Sequence, residues 1–356
     1  MPSALWPLLL YVFLTVLALV IPGHWVDGYV VNPSTGKPYC YRLNGLRVLL
    51  VTVGLWALAC QQGWMRWDTF YLHRWSMLVG AFVLGLVFTF AIVLPYPKVK
   101  SFAADLYLGR LPNPQWGGGR LDAKMWLYLV GAVMLELNLL SYAAHHWQTH
   151  AGAPNPGVFL YAALFSFFVV EYLNFEEVHL YTYDFMAERV GFKLGWGCLV
   201  FYPFFYGIGL WNTAELPDPG WPAWALVLIA LLFFTGWVFA RGANLQKFWF
   251  KREPTKKAFG VLEPVVISDG QKHVLAGGFW GLSRHINYLG ELLMAVALTL
   301  ALGHPEVWQA WLYPLYYVLL LFPRQYADDK RCAEKYGPLW AEYVKRVPYR
   351  IIPFVY

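Results

Sequence analysis

Long runs of apolar residues constrain this chain more than any other feature. Nine such runs follow one another along its 356 residues, and about 20 apolar residues in a helix are enough to cross the hydrocarbon core of a bilayer. Charged residues make up only 13% of the chain, against roughly 25% in soluble domains. The sequence therefore predicts an all-α, polytopic transmembrane bundle of about nine to ten helices, with residues 1–356 forming a single membrane-embedded domain. The predicted spans are residues 4–22, 46–62, 76–95, 125–144, 158–181, 193–212, 222–240, 288–303 and 307–323.

Positive charge is concentrated in a few connecting segments. Fourteen of the 27 lysines and arginines lie in 241–273 and 324–356, whereas 145–157 has none. Because basic loops stay on the cytoplasmic side, we expect 96–124, 182–192, 241–273 and the C-terminal segment to face the cytoplasm. The first run lacks a basic n-region and a small-residue cleavage site, so we interpret it as a retained helix. A multi-pass protein of a bacterial inner membrane or an endoplasmic reticulum-type membrane is expected.

Several other kinds of site are disfavoured. The four cysteines are scattered without paired spacing, which argues against a disulfide framework or a zinc site. Glu176 and His179 make one Glu-x-x-His element and a histidine cluster lies at 145–150, but di-iron bundles need two such elements and further carboxylates. No metal is predicted. The basic segments flank apolar runs instead of forming a soluble basic domain, so no nucleic-acid partner is predicted.

Three polar segments on the predicted cytoplasmic side carry residue types that suit a dinucleotide. The first holds Lys247 and Lys251, which are four residues apart and share a face of a helix extended from the seventh span. The second is GFWGLSRHINYLG at 278–290. The third follows the last span and contains Arg324 and Asp328, also four apart, and then Tyr336.

The chemistry of the three segments is complementary. Lys247, Lys251 and Arg324 offer cations for phosphates, and arginine can bind a phosphate through two hydrogen bonds. An aromatic wall and polar groups for the ribose and carboxamide come from Trp280, Asn287, Asp328 and Tyr336. No GxGxxG motif follows a strand, so this is not a Rossmann domain. We predict a nucleotide site within 241–356.

The same motifs resemble one known family. The Asn244-Leu245-Gln246-Lys247 element, the 278–290 segment, YRLNGL at 41–46 and a long closing signature over 324–356 look like the membrane Δ14/Δ7/Δ24(28)-sterol reductases, which include the reductase part of lamin B receptor. The resemblance covers most of the chain, and a bacterial member of the Δ14 type is expected. It implies NADPH as the cofactor, with binding positions at Lys247, Lys251, Trp280, Asn287, Tyr288, Arg324, Asp328 and Tyr336.

Three positions depart from the family pattern. Ile286 stands where proline is usual, Pro323 stands where histidine is common, and Ala327 stands where a second arginine is common. The missing arginine removes one partner for a phosphate or a carboxylate. The contacts that bind the 2′-phosphate of NADPH are therefore not specified by the resemblance at this position.

Ionic reduction of a sterol double bond needs a proton for one carbon and a hydride for the other. The resemblance implies Tyr206 as the proton donor, and Asp184 and Glu176 are the carboxylates expected to polarise its phenol or to pass protons to it. Without the resemblance, Glu176 is equally well interpreted as a residue at the membrane edge, where ionisable groups cost little. By composition alone, Tyr206 is better interpreted as one more of the 24 tyrosines of a membrane protein. The implied substrate is a sterol or a related polycyclic lipid, reached from among the membrane lipids.

Other functions stay open on the sequence alone. The Arg284–Gly290 element also resembles the Arg-His-Pro-x-Tyr-x-Gly-like element of the isoprenylcysteine carboxyl methyltransferases, membrane enzymes that bind S-adenosylmethionine. A catalytically degenerate, reductase-like binding protein is compatible with the alanine at position 327. The long closing signature favours the reductase. The reduced bond is open too, with Δ14 favoured and Δ7 or Δ24(28) as alternatives.

Overall fold

Helices dominate the structure. A computed structural model describes residues 2–356, and within that range six helices are long and apolar enough to cross a membrane. Their bounds are Ser3–Val20, Arg74–Val93, Ala123–Thr149, Pro156–Asn174, Phe192–Thr213 and Ala223–Arg252. Two shorter apolar helices, Gly45–Gln61 and Ile286–Ala301, coincide with further predicted spans. The helical, membrane-type fold is thus confirmed, while nine to ten crossings remain a prediction.

The chain divides into two compact units, one ending at Asp218 and the other running from Pro219 to Tyr356. The first unit consists, in chain order, of α1 (Trp6–Val20), β1 (His24–Val31), β2 (Pro38–Leu43), α2 (Gly45–Gln61), α3 (Thr69–Leu72), α4 (Arg74–Val93), α5 (Phe102–Leu108), β3 (Gln115–Trp116), β4 (Leu121–Asp122), α6 (Ala123–Thr149), α7 (Pro156–Asn174), α8 (Glu176–His179), α9 (Tyr183–Met186), α10 (Phe192–Trp196), a π-helix (Gly197–Phe205) and α11 (Ile208–Thr213). Its strands form the antiparallel pairs β1–β2 and β3–β4.

Helix α6 forms the centre of the first unit and is almost entirely buried. It begins at Ala123 because the Asp122 side chain accepts hydrogen bonds from the backbone N–H groups of Lys124 and Met125, which have no partners within the helix. The next helix, α7, starts at Pro156 in the same way, with Asn155 accepting from the N–H of Gly157. Around α6 pack α1, α2, α3, α7 and the π-helix.

The sixth predicted span is not one regular helix. It passes from α10 through the π-helix to α11, and Pro203 lies inside the π-helix, where it cannot donate a backbone hydrogen bond. Side chains from neighbouring helices satisfy carbonyl groups there: Asn138 Nδ2 donates to Pro203 O at 2.8 Å, and the Tyr11 hydroxyl donates to Leu199 O at 2.6 Å. The irregular segment is therefore held from outside, and it ends directly before Tyr206.

The second unit contains α12 (Ala223–Arg252), β5 (Val266–Ser268), β6 (His273–Leu275), a 3-10 helix (Gly278–Gly281), α13 (Ile286–Ala301), a second 3-10 helix (Trp308–Trp311), α14 (Leu312–Tyr336) and α15 (Pro338–Arg346). Helices α12 and α13 meet at Gly236 and Gly290: a Cβ on Gly290 would lie 2.4 Å from Gly236 O. Small residues let the two backbones approach closely. The β5–β6 hairpin packs on α15 through a small core that includes Ile267, Val274 and Tyr343.

Two predicted boundaries change in ways that affect the site. The fifth run was expected to be one span over 158–181, but α7 ends at Asn174, and Glu176–His179 forms a separate short helix. The seventh run was expected to end at 240, with a helical extension beyond it. Helix α12 does continue to Arg252, which confirms that extension, and it stops just before Pro254, a residue that helices seldom include.

Candidate functional site

The predicted cofactor positions of the second unit begin on the polar end of α12. Lys247 and Lys251 lie one turn apart in its last two turns and therefore project from the same face. Both ammonium groups interact with charges on α14: Lys247 with Asp328 and Arg324, and Lys251 with Lys335 and Arg331. Cations from the two helices thus converge on one region.

Trp280 forms an aromatic wall beside this end of α12. Its indole Nε1 donates to Ala243 O at 2.9 Å, and the Lys247 ammonium lies 5.3 Å from the centroid of its ring. The 3-10 helix that carries Trp280 is fixed by the buried Gln246, whose amide donates to Gly277 O at 3.1 Å and accepts from Phe279 N at 3.0 Å. The tryptophan is therefore oriented by α12 itself.

Helix α13 contributes the polar groups. The Tyr288 hydroxyl donates to Asp328 Oδ2 on α14 at 2.5 Å. Asn287 Nδ2 donates to Asn244 Oδ1 on α12 at 3.5 Å, a long hydrogen bond, while Asn287 Oδ1 has no hydrogen-bond partner among the described residues. The structure thus brings Tyr288, Asp328 and Asn287 together with the lysines of α12.

A second acid, Asp329, ties the start of α13 to α14. Its carboxylate lies 3.3 Å from His285 Nε2 and 3.4 Å from Arg284 Nη2. Burial alone would raise the pKa of Asp329, but the hydrogen bond and electrostatic interaction with His285, together with the positive charges of Arg284 and Arg350, hold that pKa below its ordinary value. An ionised Asp329 therefore anchors the segment that carries Asn287 and Tyr288.

The closing segment supports the same element from its other side. The backbone N–H groups of Arg284 and His285 donate to Tyr349 O at 3.0 Å and Arg350 O at 2.7 Å. Earlier in the closing signature, the rings of Tyr336 and Trp340 stack with their centroids 6.5 Å apart. The Tyr343 hydroxyl donates a hydrogen bond of 2.8 Å to Trp280 O. The closing signature is therefore largely a scaffold for the 278–290 segment.

In the first unit, Asp184 lies in the short helix α9. Its carboxylate Oδ2 accepts a hydrogen bond of 2.7 Å from the Tyr128 hydroxyl on α6. Helix α9 and the residues after it are held by Lys124, a fully buried cation whose Nζ donates to Asp184 O and Glu188 O, both at 2.8 Å. Asp184 is thus paired with a tyrosine that the sequence did not single out.

Tyr206 lies at the end of a row of aromatic rings in the same unit. Its ring centroid is 4.7 Å from that of Tyr202, Tyr202 is 6.2 Å from Tyr172, and Tyr172 is 5.6 Å from Tyr128. The row therefore connects the surroundings of Tyr206 to the Tyr128–Asp184 pair through neighbouring tyrosines.

Glu176 has a structural role in this arrangement. Its carboxylate Oε2 accepts a hydrogen bond of 2.9 Å from Gly45 N at the start of α2. Burial raises the pKa of Glu176 to about 7, with the Gly45 hydrogen bond opposing this shift. A Cβ at position 45 would lie 2.3 Å from Glu176 Oε1, so the glycine in YRLNGL is what admits this contact.

Comparison with known proteins identifies the family. The sequence model of the ergosterol biosynthesis ERG4/ERG24 family matches residues 3–356. The chain belongs to the ERG4/ERG24 family. It is 31% identical to the Δ14-sterol reductase of Arabidopsis thaliana, over 97% of this chain and 94% of the plant protein. It is 30% identical to the Δ14-sterol reductase of Methylotuvimicrobium alcaliphilum, over 94% of this chain and 79% of that protein. The 7-dehydrocholesterol reductase of Xenopus laevis is 32% identical, over 97% of this chain and 77% of its own length.

Two further cations lie near Ala327 and were not among the predicted site residues. Arg331 and Lys335 act on Lys251 electrostatically and continue the helical face of Ala327 at intervals of four residues. That spacing was the available signal. In this member of the ERG4/ERG24 family, positive charge near Ala327 is supplied by the next two turns of α14.

The histidine cluster of this family member is engaged in packing and capping contacts. His146 is buried, with Nδ1 2.9 Å from Ala214 O and Nε2 accepting from Asn155 N at 2.9 Å. His145 pairs with Asp68 at 3.2 Å and stacks on Tyr71 with centroids 3.9 Å apart. These contacts hold the end of α6 against its neighbours.

Proposed function

We propose that this protein is an NADPH-dependent sterol reductase, with a Δ14 sterol as the favoured substrate. The observation that carries the proposal is the match to proteins named Δ14-sterol reductase over nearly the whole chain. The match to a 7-dehydrocholesterol reductase keeps a Δ7 sterol as the second substrate to test, followed by a Δ24(28) sterol.

The cofactor proposal rests on the chemistry of the residues around Trp280. NADPH carries a pyrophosphate and a 2′-phosphate, and the ammonium groups of Lys247 and Lys251 with Arg324, Arg331 and Lys335 suit these anions. Asn287 Oδ1 is a buried acceptor without a partner among the described residues, which fits a carboxamide or a ribose hydroxyl. The residues present therefore fit this dinucleotide, which when bound supplies the hydride.

The chain would supply the proton and the dry environment. A phenol positioned by packing, as Tyr206 is beside Tyr202, is a suitable general acid once water is excluded from the site. The Asp184 carboxylate and Tyr128 form a hydrogen-bonded pair that would accept and return protons at the other end of the tyrosine row. Glu176, which accepts from Gly45, is proposed as a positioning residue, not as the proton source.

Titration of the purified protein with NADPH and with S-adenosylmethionine separates this proposal from the methyltransferase alternative. We expect NADPH to bind and S-adenosylmethionine not to bind; binding of S-adenosylmethionine alone would overturn the reductase. Incubation with NADPH and a panel of Δ14, Δ7 and Δ24(28) sterols, with products identified by mass spectrometry, tests the reaction. We expect the Δ14 sterol to be reduced fastest. NADPH binding without turnover of any sterol would indicate the degenerate, reductase-like protein.

A further inference from the structure

A carboxylic acid lies near the middle of the most buried span. Glu136 is on α6, only 5% exposed, and belongs to neither the cofactor cluster nor the row of tyrosines. An ionisable side chain within a membrane span is costly, and it is found where it faces a partner, a cavity or a ligand. Helix α6 therefore carries a polar group that the proposed reaction does not yet use.

Glu136 lacks the hydrogen bonds that would balance its burial. Ser166 on α7 is a hydrogen-bonding neighbour of the carboxyl, but the contact falls short of normal hydrogen-bond geometry. Among the described residues, neither Glu136 Oε2 nor Ser166 Oγ has a partner of normal geometry, and both atoms are buried. Leaving such atoms unsatisfied in a buried environment is costly. The pair is thus suited to a group that both donates and accepts.

An apolar cleft opens on the same faces of the two helices. It has a volume of about 520 Å³ and is lined by Trp67, Ala143, Ala144, Trp147, Gln148 and Phe159. Ala143 lies seven residues after Glu136 on α6, and Phe159 lies seven residues before Ser166 on α7. A separation of seven residues is about two helical turns, or about 10 Å, so the cleft and the polar pair are aligned along one seam.

From this alignment we propose that Glu136 and Ser166 form the polar end of a binding site for an apolar alcohol. The ligand hydroxyl donates to Glu136 Oε2 and accepts from Ser166 Oγ, and its hydrocarbon body extends along the α6–α7 seam to the tryptophan-lined cleft. Trp147 and Phe159, whose rings are 5.9 Å apart across the two helices, contact the far end. The choice of a sterol alcohol as the ligand rests on the proposed function.

The test combines a change in the ligand with a change in the protein. Binding of radiolabelled cholesterol and of its 3-deoxy counterpart, cholest-5-ene, is measured to the full chain in phospholipid nanodiscs, for the wild type and for Glu136→Leu. In the wild type, we expect loss of the hydroxyl to weaken binding about tenfold, the value of one hydrogen bond to a buried carboxyl. In Glu136→Leu the two ligands should bind equally. If the ratio of the two dissociation constants were the same in both proteins, the proposal would be overturned. Glu136 Oε2 and Ser166 Oγ would then be assigned to hydrogen bonds with buried water.

Further variants separate the hydrogen bond from the fold. Glu136→Gln retains hydrogen-bonding groups and should keep most of the preference for the hydroxyl. Trp147→Ala should weaken the binding of both ligands to a similar extent. Trp64→Ala, at a tryptophan that is 79% exposed, should leave the binding of both unchanged. Equal effects of the two tryptophan variants would contradict the placement of the hydrocarbon.

Measuring sterol reduction with the same preparation separates a failure of this binding site from a failure of the proposed function. A retained preference for the hydroxyl in a protein that reduces no sterol would overturn the reductase and support the site. Suppose instead that the protein reduces a Δ14 sterol and that Glu136→Leu prefers cholesterol over cholest-5-ene as strongly as the wild type does. This result would support the reductase and overturn the Glu136–Ser166 site.

Discussion

The lysines of α12 differ in their surroundings. Lys247 interacts with Asp328 as well as Arg324 and lies over Trp280, whereas Lys251 is surrounded by the cations Lys247, Lys335 and Arg331. A group of several cations favours the most highly charged anion. We therefore propose that the 2′-phosphate of NADPH binds beside Lys251 and the pyrophosphate beside Lys247.

Lys251→Ala should weaken NADPH binding roughly tenfold while changing NADH binding little, because one charge-assisted contact to the 2′-phosphate is lost. Isothermal titration with both nucleotides measures the two dissociation constants. Lys257→Ala is the matched control, since Lys257 lies in the same basic stretch but pairs with Glu263 on the surface. Equal losses for NADPH and NADH would place Lys251 at the pyrophosphate instead.

Asp329 predicts a pH dependence of stability. Its pKa is lower in the folded chain than the ordinary value near 4, so its contribution is fully present above pH 4 and is lost as the pH falls through the folded value. Wild type should therefore lose thermal stability in detergent more steeply than Asp329→Asn between about pH 5 and pH 3. The exposed Glu334→Gln on the same helix is the control. If thermal stability fell with pH in parallel for wild type and Asp329→Asn, the interactions of Asp329 with His285 and Arg284 would not stabilise the folded chain.

Glu176 predicts the opposite trend. Burial raises its pKa to about 7, above the ordinary value near 4.3. Stability from this group is fully present below pH 4 and declines as the pH rises to about 7. Glu176→Gln keeps an acceptor for Gly45 N and should remove this decline. A wild-type stability that does not fall between pH 5 and 7 relative to Glu176→Gln would show that the carboxyl is not desolvated.

At the scale of whole elements, the contact between α12 and α13 decides whether the nucleotide positions meet. The two helices approach closely at Gly236 and Gly290, and a few residues further along, Asn244 meets Asn287. Gly236 and Gly290, which pack against each other, therefore control the spacing of the residues that would contact the nucleotide.

Gly290→Ala should destabilise the protein by roughly 1–3 kcal/mol, since the added methyl meets backbone atoms that have no room to move. It should also weaken NADPH binding because Asn287 would shift away from Asn244. Thermal unfolding and nucleotide titration measure the two effects. Gly54→Ala on α2, where a Cβ meets nothing within 4 Å, should be neutral or slightly stabilising. Equal behaviour of both variants would contradict a tight contact at Gly290.

On the scale of the whole molecule, the two predicted sets of site residues fall in different compact units. Tyr206, Asp184 and Glu176 belong to the unit that ends at Asp218, and all eight cofactor positions belong to the unit that starts at Pro219. We therefore expect proton donation and nucleotide binding to be separable by mutation.

Tyr206→Phe should lower the rate of sterol reduction at least about 100-fold, the usual contribution of a general acid, and leave the dissociation constant for NADPH unchanged. Tyr107→Phe, at an exposed tyrosine of the same unit, should affect neither quantity. Turnover by mass spectrometry and nucleotide titration give the two values. Unimpaired turnover in Tyr206→Phe would transfer the acid role to another residue, with Tyr128 beside Asp184 the first to test.

The amino-acid sequence by itself determined the membrane-type helical fold, the helical extension that carries Lys247 and Lys251, and the family. Each of these depends on local pattern: apolar runs, spacings of four residues and contiguous motifs. Tertiary structure alone decided that Asp184 pairs with Tyr128, that Glu176 holds the start of α2, and that Arg331 and Lys335 join the lysines of α12. It also revealed Glu136 as a buried acid without a full set of partners. The physical reason is that burial and hydrogen bonding depend on which residues distant in the chain become neighbours, and no local pattern contains that information.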